Sequence, residues 1–175
     1  VTIPSWFSEM LPLNFELALD IGKFRRLVKE KLSDKKECLR FIKEYIYCEE
    51  DVAKEIYDYF NEQSDFSAVP DDRLIVLEKF KDASYEASLT HPTQESWRFN
   101  EEKEYLLFHS LFGRRVNDAL ARAYAYAAAR LKHRDVEIGV NDNGFFISGE
   151  KLDEDRIINW VKSQELETIL REAVE

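Results

Sequence analysis

Two consecutive arginines follow a glycine near the centre of the sequence, in the run Gly113-Arg114-Arg115. The apolar residues Tyr105 to Phe108 before this run predict a buried strand, and the residues after it predict a helix. Gly113 predicts a sharp turn between the two. Both guanidiniums are therefore expected at a helix amino-terminus, where free backbone N–H groups and the helix dipole favour an anion. Phosphate is the natural ligand of such a group. The alternative is that one of the two arginines pairs with a carboxylate of the chain and ties the strand to the helix.

Other residues offer related chemistry. Basic side chains on neighbouring helices can hold further phosphates, and an indole beside an arginine on an exposed loop can stack on an unpaired base. For the indole of Trp97, the alternative is that it folds back over the edge of the sheet. The candidate residues for contact with a nucleic-acid strand are Arg114, Arg115, Asn117, Arg122, Arg25, Arg26, Trp97 and Arg98.

Several other chemistries lack the residues they require. A P-loop needs a glycine-rich loop followed by Lys and Ser or Thr, whereas the chain has five glycines and Gly22-Lys23 lies inside a helical pattern. The histidines and cysteines do not have the spacings of a zinc site. No G-x-S-x-G motif supports a nucleophilic serine. We therefore expect no catalytic residue, no metal site and no cofactor in this chain.

One pattern is similar to that of a metal-dependent nuclease. Pro70-Asp71 followed by Glu101-Glu102-Lys103 supplies spaced carboxylates for a divalent ion and a lysine that orients water. That chemistry needs the second group on a central strand, whereas the polar stretch 100–104 predicts a loop. Because the chain contains 35 acidic residues, chance matches are easy, and we favour the interpretation without a nuclease site.

The net charge of −10 argues against nucleic acid, but the charges are segregated along the chain. Residues 23–43 carry nine Lys or Arg against three acids, residues 114–134 carry six against one, and residues 44–72 carry one against ten. A basic face on an acidic body can follow a phosphate backbone locally while the body repels it elsewhere. Equally, the basic helices can pack beside the acidic one as a solvated network of ion pairs. Charge alone does not choose between the two.

Apolar periodicity predicts an α+β fold in a single domain over 1–175. It consists of an N-terminal helical block, a mostly antiparallel sheet, a central alanine-rich helix and C-terminal helices. The expected bounds are an extended segment at 1–13, helices at 14–64, a sheet at 73–149 that contains the central helix at 114–132, and helices at 152–175. Asn14 and either Ser33 or Asp34 are expected to cap the first two helices, and Asn143-Gly144 to form a hairpin turn.

The same spacing predicts which side chains face the core. The inward residues of the first three helices are expected to be Leu17, Ile21, Phe24, Leu27, Val28, Leu32, Cys38, Leu39, Ile42, Ile46, Val52, Ile56, Tyr59 and Phe60, with the third helix ending before Ser64. In the central helix they are Val116, Leu120, Ala123, Ala127 and Leu131. Strands are expected at Leu74 to Phe80, around Tyr85 to Leu89, at Tyr105 to Ser110, and on either side of the hairpin turn.

Length and composition indicate a globular protein. A chain of 175 residues with 45% apolar and 34% charged residues can bury a stable core without disulfide bonds or a structural metal. Because it has neither a run of roughly 18 apolar residues nor a signal-peptide pattern, we expect a soluble, cytoplasmic protein with no membrane partner. Val1 is not an initiator methionine, and the first residues are rich in apolar side chains. We therefore expect a piece of a longer protein.

Four stretches, taken in order, resemble one family. The run from Phe108 to Ala121, F-H-S-L-F-G-R-R-V-N-D-A-L-A, is similar to the C-terminal accessory region of large helicase-related (Lhr-type) superfamily 2 helicases, the DEAD/H-associated domain. The other stretches are Trp6 to Leu13, Phe24-Arg25-Arg26, and Val69 to Glu78. The resemblance extends to about Phe146 and does not involve the C-terminal quarter.

This resemblance implies a function that composition and spacing do not give. It implies an accessory domain that engages single-stranded DNA or RNA in an ATP-dependent 3′-to-5′ helicase, a hydrolase of DNA repair. ATP and Mg²⁺ would be bound elsewhere in the parent protein, and the upstream motor and winged-helix domains of the same polypeptide would be its partners. The alternative is a structural or protein-docking domain of the helicase that never touches the strand.

Overall fold

The computed structural model describes residues 13–81, 103–132 and 136–174. Within these ranges the chain has the predicted α+β fold. The elements in chain order are α1 (Phe15–Lys31), α2 (Lys35–Ile46), α3 (Glu50–Phe66), β1 (Val76–Lys81), β2 (Lys103–His109), α4 (Arg114–Lys132), β3 (Glu137–Asn141), β4 (Gly144–Glu150), α5 (Glu154–Trp160), a 3₁₀ turn (Ser163–Glu165) and α6 (Leu166–Val174). The extended segment predicted at 1–13 lies almost wholly outside the described residues, as does the strand predicted around Tyr85 to Leu89.

Side-chain caps begin the first two helices, as predicted. The Asn14 side chain accepts a hydrogen bond from a backbone N–H two residues later, at 3.1 Å. Asp34 Oδ1 accepts from the N–H groups two and three residues later, at 3.0 and 3.1 Å. These N–H groups have no partner within the helix, so each cap satisfies a donor that would otherwise need water. Asp34, and not Ser33, is the cap of α2.

Helices α1 to α3 pack around one hydrophobic cluster, whose buried members are Val28, Cys38, Ile42, Ala53, Tyr57, Phe60 and Val69. Part of the predicted core is wrong, because five of its members are exposed: Leu17, Ile21, Ile46, Val52 and Tyr59. On α3 the cause is a second apolar stripe. The stripe that contains the small Ala53 packs inward with Tyr57 and Phe60, which leaves Val52 and Tyr59 on the flank of the helix. α3 also continues to Phe66 instead of ending before Ser64.

The four strands of the described residues form one antiparallel sheet in the order β1-β2-β4-β3. Three predicted boundaries need correction. Asp142 and Asn143 form the hairpin turn, because β4 already begins at Gly144. Leu74 lies before β1, bridged to Asp71 in a tight turn. Strand β2 starts at Lys103, inside the stretch predicted as a loop.

Helix α4 covers one face of the sheet. The second hydrophobic cluster lies beneath it and contains Leu106, Phe108, Ala121, Ala128, Phe145, Ile147, Leu152 and Ile157. Of the predicted stripe, Ala123 and Ala127 are fully buried, whereas the larger members are only partly buried. Because α4 contacts β3 and β4 as well as α5 and α6, it is buried over a wide arc. Small side chains allow neighbours on both sides to approach closely, which accounts for the run of alanines.

Candidate nucleic-acid interface

A short turn joins the end of β2 to the start of α4. Its last residue, Gly113, has a φ of 78°, a left-handed conformation that favours glycine. A Cβ at this position would lie 2.8 Å from the backbone oxygen of Leu13, so the turn is also tightly packed. The Gly113 N–H donates to the carbonyl of Asp142 at 3.2 Å. The sharp turn predicted at Gly113 is confirmed, and Arg114 follows it as the first residue of α4.

The amino-terminus of α4 already holds an anionic group, which the chain itself supplies. Oδ1 of Asp142 accepts hydrogen bonds from the backbone N–H groups of Arg114 at 3.1 Å and Leu13 at 3.0 Å. Asp142 belongs to the turn between β3 and β4, so the helix is capped from a different element. A carboxylate at this position is stabilised by the helix dipole and satisfies a free N–H group of the first turn. Part of the anion-binding capacity of the helix end is therefore used within the fold.

Asn117, which we predicted to contact a nucleic-acid strand, is instead the centre of a hydrogen-bond network within the fold. Its Nδ2 donates to the carbonyls of Ser110 (3.0 Å), Asn141 (3.0 Å) and Asp142 (3.2 Å). Its Oδ1 accepts from the hydroxyl of Ser110 at 2.8 Å. The residue is 0% exposed, so a strand cannot reach its amide without opening the turn. Asn117 positions the start of α4 against β2 and the β3–β4 turn, and we call this set of contacts the turn network.

Arg114 and Arg115 are both exposed at the start of α4. Within the described ranges, neither side chain forms an ion pair. The alternative was that Arg114 or Arg115 pairs with a carboxylate and links β2 to α4. The contacts of the described residues do not support it. Both guanidiniums are therefore available to an anionic ligand.

Arg122 lies two turns further along α4 and has a partner on its own helix. Its Nε and Nη2 contact the carboxylate of Asp118 at 2.9 and 3.3 Å. This hydrogen-bonded pair raises the pKa of Arg122 above its ordinary value. Because the two side chains are 53% and 45% exposed, the pair contributes little to stability, and a phosphate can compete for the guanidinium. Strand contact by Arg122 stays a prediction.

Arg25 and Arg26 connect α1 to the segment that follows α3. Arg25 Nε donates to the carbonyl of Pro70 at 3.0 Å, and the guanidinium lies 5.2 Å from the centre of the Phe60 ring. Arg26 Nε contacts Asp72 at 2.8 Å. The hydrogen bond from Arg26 lowers the pKa of Asp72. Each arginine thus has a role within the fold, and strand contact by either one stays a prediction.

Most lysines of α1 and α2 that point to neighbouring elements are also paired. The pairs are Lys29 with Asp71, Lys31 with Glu37, Lys35 with Asp58, and Lys43 with Glu50. The solvated ion-pair network considered from the charge pattern therefore describes much of residues 23–43. The adjacent arginines at the start of α4 differ from this network because they have no such partners in the described part of the chain.

The remaining candidates have different outcomes. Trp97 and Arg98 lie outside the described residues. Of the nuclease-like pattern, Asp71 is 3% exposed and pairs with Lys29, while Glu101 lies outside the described residues.

In the ranges 13–81, 103–132 and 136–174, no three His, Cys, Asp or Glu side chains are grouped to hold a metal ion. No helix in these ranges has both the length and the apolar character to cross a bilayer.

The sequence pattern did not identify the three residues that complete the turn network, Asp142, Asn141 and Ser110. The signal for the first is the run Asn141-Asp142-Asn143-Gly144, in which four consecutive residues favour turns. On local pattern alone this run predicts only a hairpin. An aspartate in such a turn can also accept hydrogen bonds from the free N–H groups of a neighbouring helix.

Comparison with protein families and curated proteins gives consistent matches. A family model described as DEAD/H associated matches residues 69–175. The ATP-dependent helicase Lhr-Core of Methanothermobacter thermautotrophicus is 38% identical over 178 residues, which cover 99% of this chain and 19% of that protein. Its counterpart in Methanocaldococcus jannaschii is 42% identical over 144 residues, which cover 82% of this chain and 14% of that protein. The chain thus spans less than a fifth of the length of these relatives.

One solved structure has a similar fold. It is the structure of the Mycobacterium smegmatis helicase Lhr bound to ssDNA and AMP-PNP, which matches with a TM-score of 0.67. The match covers 99% of this chain and 20% of that chain, at 18% sequence identity. At this identity the likeness establishes the fold and nothing about individual residues.

Proposed function

The chain belongs to the DEAD/H-associated family, and from this premise we propose that it is an accessory domain of an Lhr-type, ATP-dependent helicase. In this proposal it engages single-stranded DNA or RNA and positions the strand for the motor domains of the same polypeptide during 3′-to-5′ translocation. The observation that carries the proposal is the pair Arg114 and Arg115, exposed at the start of α4 and without ion-pair partners in the described residues. Membership of a helicase family supports a nucleic-acid strand as the anion that they bind.

The turn network supports this role because it fixes the backbone from which the two arginines extend. Asn117 is buried and bonded to three carbonyls, and Asp142 holds the first N–H of the helix. A ligand that binds here does not need to order the backbone first, which lowers the entropic cost of binding. The side chains remain adaptable, which suits contacts to phosphates of any sequence.

ATP and Mg²⁺ belong, in this proposal, to the upstream motor domains. The chain has no glycine-rich loop followed by Lys and Ser or Thr, which is what a nucleotide site of that type requires. The domain therefore contributes to unwinding through the path of the strand and not through hydrolysis. The upstream motor and winged-helix domains would complete the channel around the strand.

The test uses the full-length polypeptide that contains this chain. Binding of a labelled single-stranded oligonucleotide is measured by fluorescence anisotropy at several salt concentrations, for the unmodified protein and for the variant Arg114→Glu/Arg115→Glu. We expect affinity at low salt to fall roughly tenfold or more, and the salt slope to become shallower by about 0.7 for each phosphate that the variant no longer binds. The control is Arg156→Glu/Arg171→Glu, which makes the same change in net charge on α5 and α6 and should leave both quantities nearly unchanged.

The structural or protein-docking alternative predicts a different outcome. In that case the Arg114→Glu/Arg115→Glu variant binds the strand as tightly as the unmodified protein, with the same salt slope, while its free energy of unfolding falls. That combination would overturn the proposal. Measuring unfolding by urea beside the binding series distinguishes weaker strand binding from loss of the fold.

A further inference from the structure

A cavity of about 350 Å³ lies on the sheet beside the β3–β4 turn. Leu107 and His109 of β2 line it, and they alternate along the strand with the core residues Leu106 and Phe108. Because successive side chains of a strand point to opposite faces, this part of the lining belongs to the face opposite α4. Phe108, Phe145 and Val140 also line the cavity and belong to, or pack against, the hydrophobic cluster beneath that helix, so the cavity borders this cluster.

Phe146 gives the cavity an aromatic wall. Phe146 of β4 pairs with Gly139 of β3, and a Cβ at position 139 would lie 2.2 Å from Cε1 of the Phe146 ring. The ring therefore lies over the glycine, in space that any side chain at position 139 would fill. The ring remains partly exposed, so a flat ligand in the cavity can contact it.

The cavity and the two arginines share one turn. Asn141 and Asn143, which line the cavity, flank Asp142, whose carboxylate caps α4 at Arg114. The side-chain amide of Asn143 is exposed and makes no hydrogen bond in the described part of the chain. An amide of this kind can both donate to and accept from the edge of a base.

The charges of the lining favour a base over a phosphate. Among the residues that the structure describes, no lysine or arginine lines the cavity. At its wall, His109 Nε2 lies 3.3 Å from Oε2 of Glu78, so a carboxylate is close by. A phosphate would be repelled there, whereas an uncharged aromatic ring would not. Stacking of a base on an aromatic side chain is also tolerant of sequence, because every base has a π-face.

We propose that this cavity, which we call the base pocket, receives one unstacked base of the strand whose phosphates contact Arg114 and Arg115. The inference rests on the proposed function and adds a subsite to it. The arginines hold the backbone on one side of the β3–β4 turn. Phe146 stacks on a base on the other side, and Asn143 bonds to the edge of that base.

The test again uses the full-length polypeptide. A single-stranded oligonucleotide carries 2-aminopurine at each position in turn, and its emission is recorded free and at saturating protein. The test variant is Phe146→Leu, which removes the ring but keeps an apolar side chain. The matched control is Phe80→Leu, because Phe80 is 46% exposed on β1 and does not line the cavity. A second test variant, Gly139→Ala, displaces the Phe146 ring without removing it.

We expect one position of the strand to change its emission on binding, and that change to be absent in Phe146→Leu and Gly139→Ala but kept in Phe80→Leu. Affinity of the Phe146→Leu variant should fall about five- to a hundredfold, with an unchanged salt slope because the phosphates stay bound to the arginines. If folded Phe146→Leu and Gly139→Ala keep the emission pattern and affinity of the unmodified protein, the base pocket is wrong. The salt slope reports on the arginines and the emission on the pocket, so either proposal can fail alone.

Discussion

Asp142 caps helix α4 at the backbone N–H of Arg114, over 3.1 Å and across 28 positions of the sequence. The same oxygen accepts a hydrogen bond from the N–H of Leu13 at 3.0 Å. One carboxylate therefore stabilises the helix end from which Arg114 and Arg115 extend. It also places a negative charge where a phosphate would approach, so stability and strand affinity should respond to it in opposite directions.

Replacing Asp142 with Asn tests this opposition. The variant keeps an acceptor oxygen but loses the charge, so we expect the free energy of unfolding to fall by about 0.5–1 kcal/mol. Strand affinity of the full-length protein should rise by about two- to fivefold at low salt, because repulsion of the phosphate is removed. Urea denaturation and fluorescence anisotropy measure the two quantities.

The control for this prediction is Asp153→Asn. Asp153 caps α5 by accepting from the Arg156 N–H at 3.2 Å, so the cap is of the same kind at a different helix. It should cost similar stability and leave strand affinity unchanged. A fall in affinity for Asp142→Asn would show that the carboxylate matters to the strand through the position of α4 and not through its charge.

Asn117 should be among the most sensitive positions of the chain. In Asn117→Ala, the carbonyls of Ser110, Asn141 and Asp142 lose their shared donor. Leaving buried polar groups unsatisfied costs about 1–3 kcal/mol each. Because the carbonyl of Asp142 keeps its hydrogen bond from the Gly113 N–H, we expect a total loss of about 2–4 kcal/mol in unfolding free energy. The measurement is urea denaturation. In the control Asn159→Ala an exposed side chain loses one bond to its own helix, and a change above about 0.5 kcal/mol there would be unexpected.

Gly113→Ala tests the left-handed turn. A residue with a Cβ at φ 78° is strained, and the new atom would meet the backbone oxygen of Leu13 at 2.8 Å. We expect a loss of about 1–3 kcal/mol in unfolding free energy. Gly113→Asn separates the two causes, because asparagine tolerates the left-handed region better than alanine but carries the same Cβ. If the two variants are equally destabilised, crowding against Leu13 is the dominant cause.

The pair Arg26 and Asp72 should make stability depend on pH in the acid range. The hydrogen bond from Arg26 lowers the pKa of Asp72 in the folded state, so the folded chain holds this proton less tightly than the unfolded chain. The stabilisation is complete above the unfolded pKa of about 4 and is lost as the pH falls through the folded value. The difference in unfolding free energy between the unmodified chain and Asp72→Asn should therefore be constant from pH 7 to about 4 and shrink below it.

The partner variant checks the origin of this pH dependence. If the shift comes from the ion pair, Arg26→Gln should remove the same acid-range dependence. The double variant Arg26→Gln/Asp72→Asn should then be at least as stable at neutral pH as the less stable of the two single variants. A pH-dependent difference that survives in Arg26→Gln would assign the effect to another group.

The features that sequence analysis predicted correctly depend on neighbours in the chain. Asn14 and Asp34 cap helices that begin at the next residue, and Gly113 turns the chain between two strongly patterned segments. Where the sequence offered two solutions, local pattern did not decide. Both apolar stripes of α3 have helical spacing, and the one with Ala53 is buried in the cluster that α3 shares with α2.

The residues of the candidate site also divide into those that neighbouring residues predict and those whose role depends on a distant partner. Exposure of Arg114 and Arg115 at a helix start could be inferred from adjacent residues. The pairing of Arg26 with Asp72, 46 positions away, could not, because an acidic chain offers many possible partners of similar local character. The capping role of Asp142 was hidden for the same reason. It becomes visible only when the fold brings the β3–β4 turn beside α4.

The bonds of Asn117 also determine how a mechanical load travels through the molecule. Its amide joins α4 to the residue after β2, to the last residue of β3 and to the first residue of the β3–β4 turn. Tension applied to the side chain of Arg114 is therefore carried at once into two strands of the sheet, instead of stretching a slack loop. At this point the domain is a stiff anchor, and a displacement of the backbone at the start of α4 requires either a rotation of the whole sheet or the rupture of the bonds of Asn117.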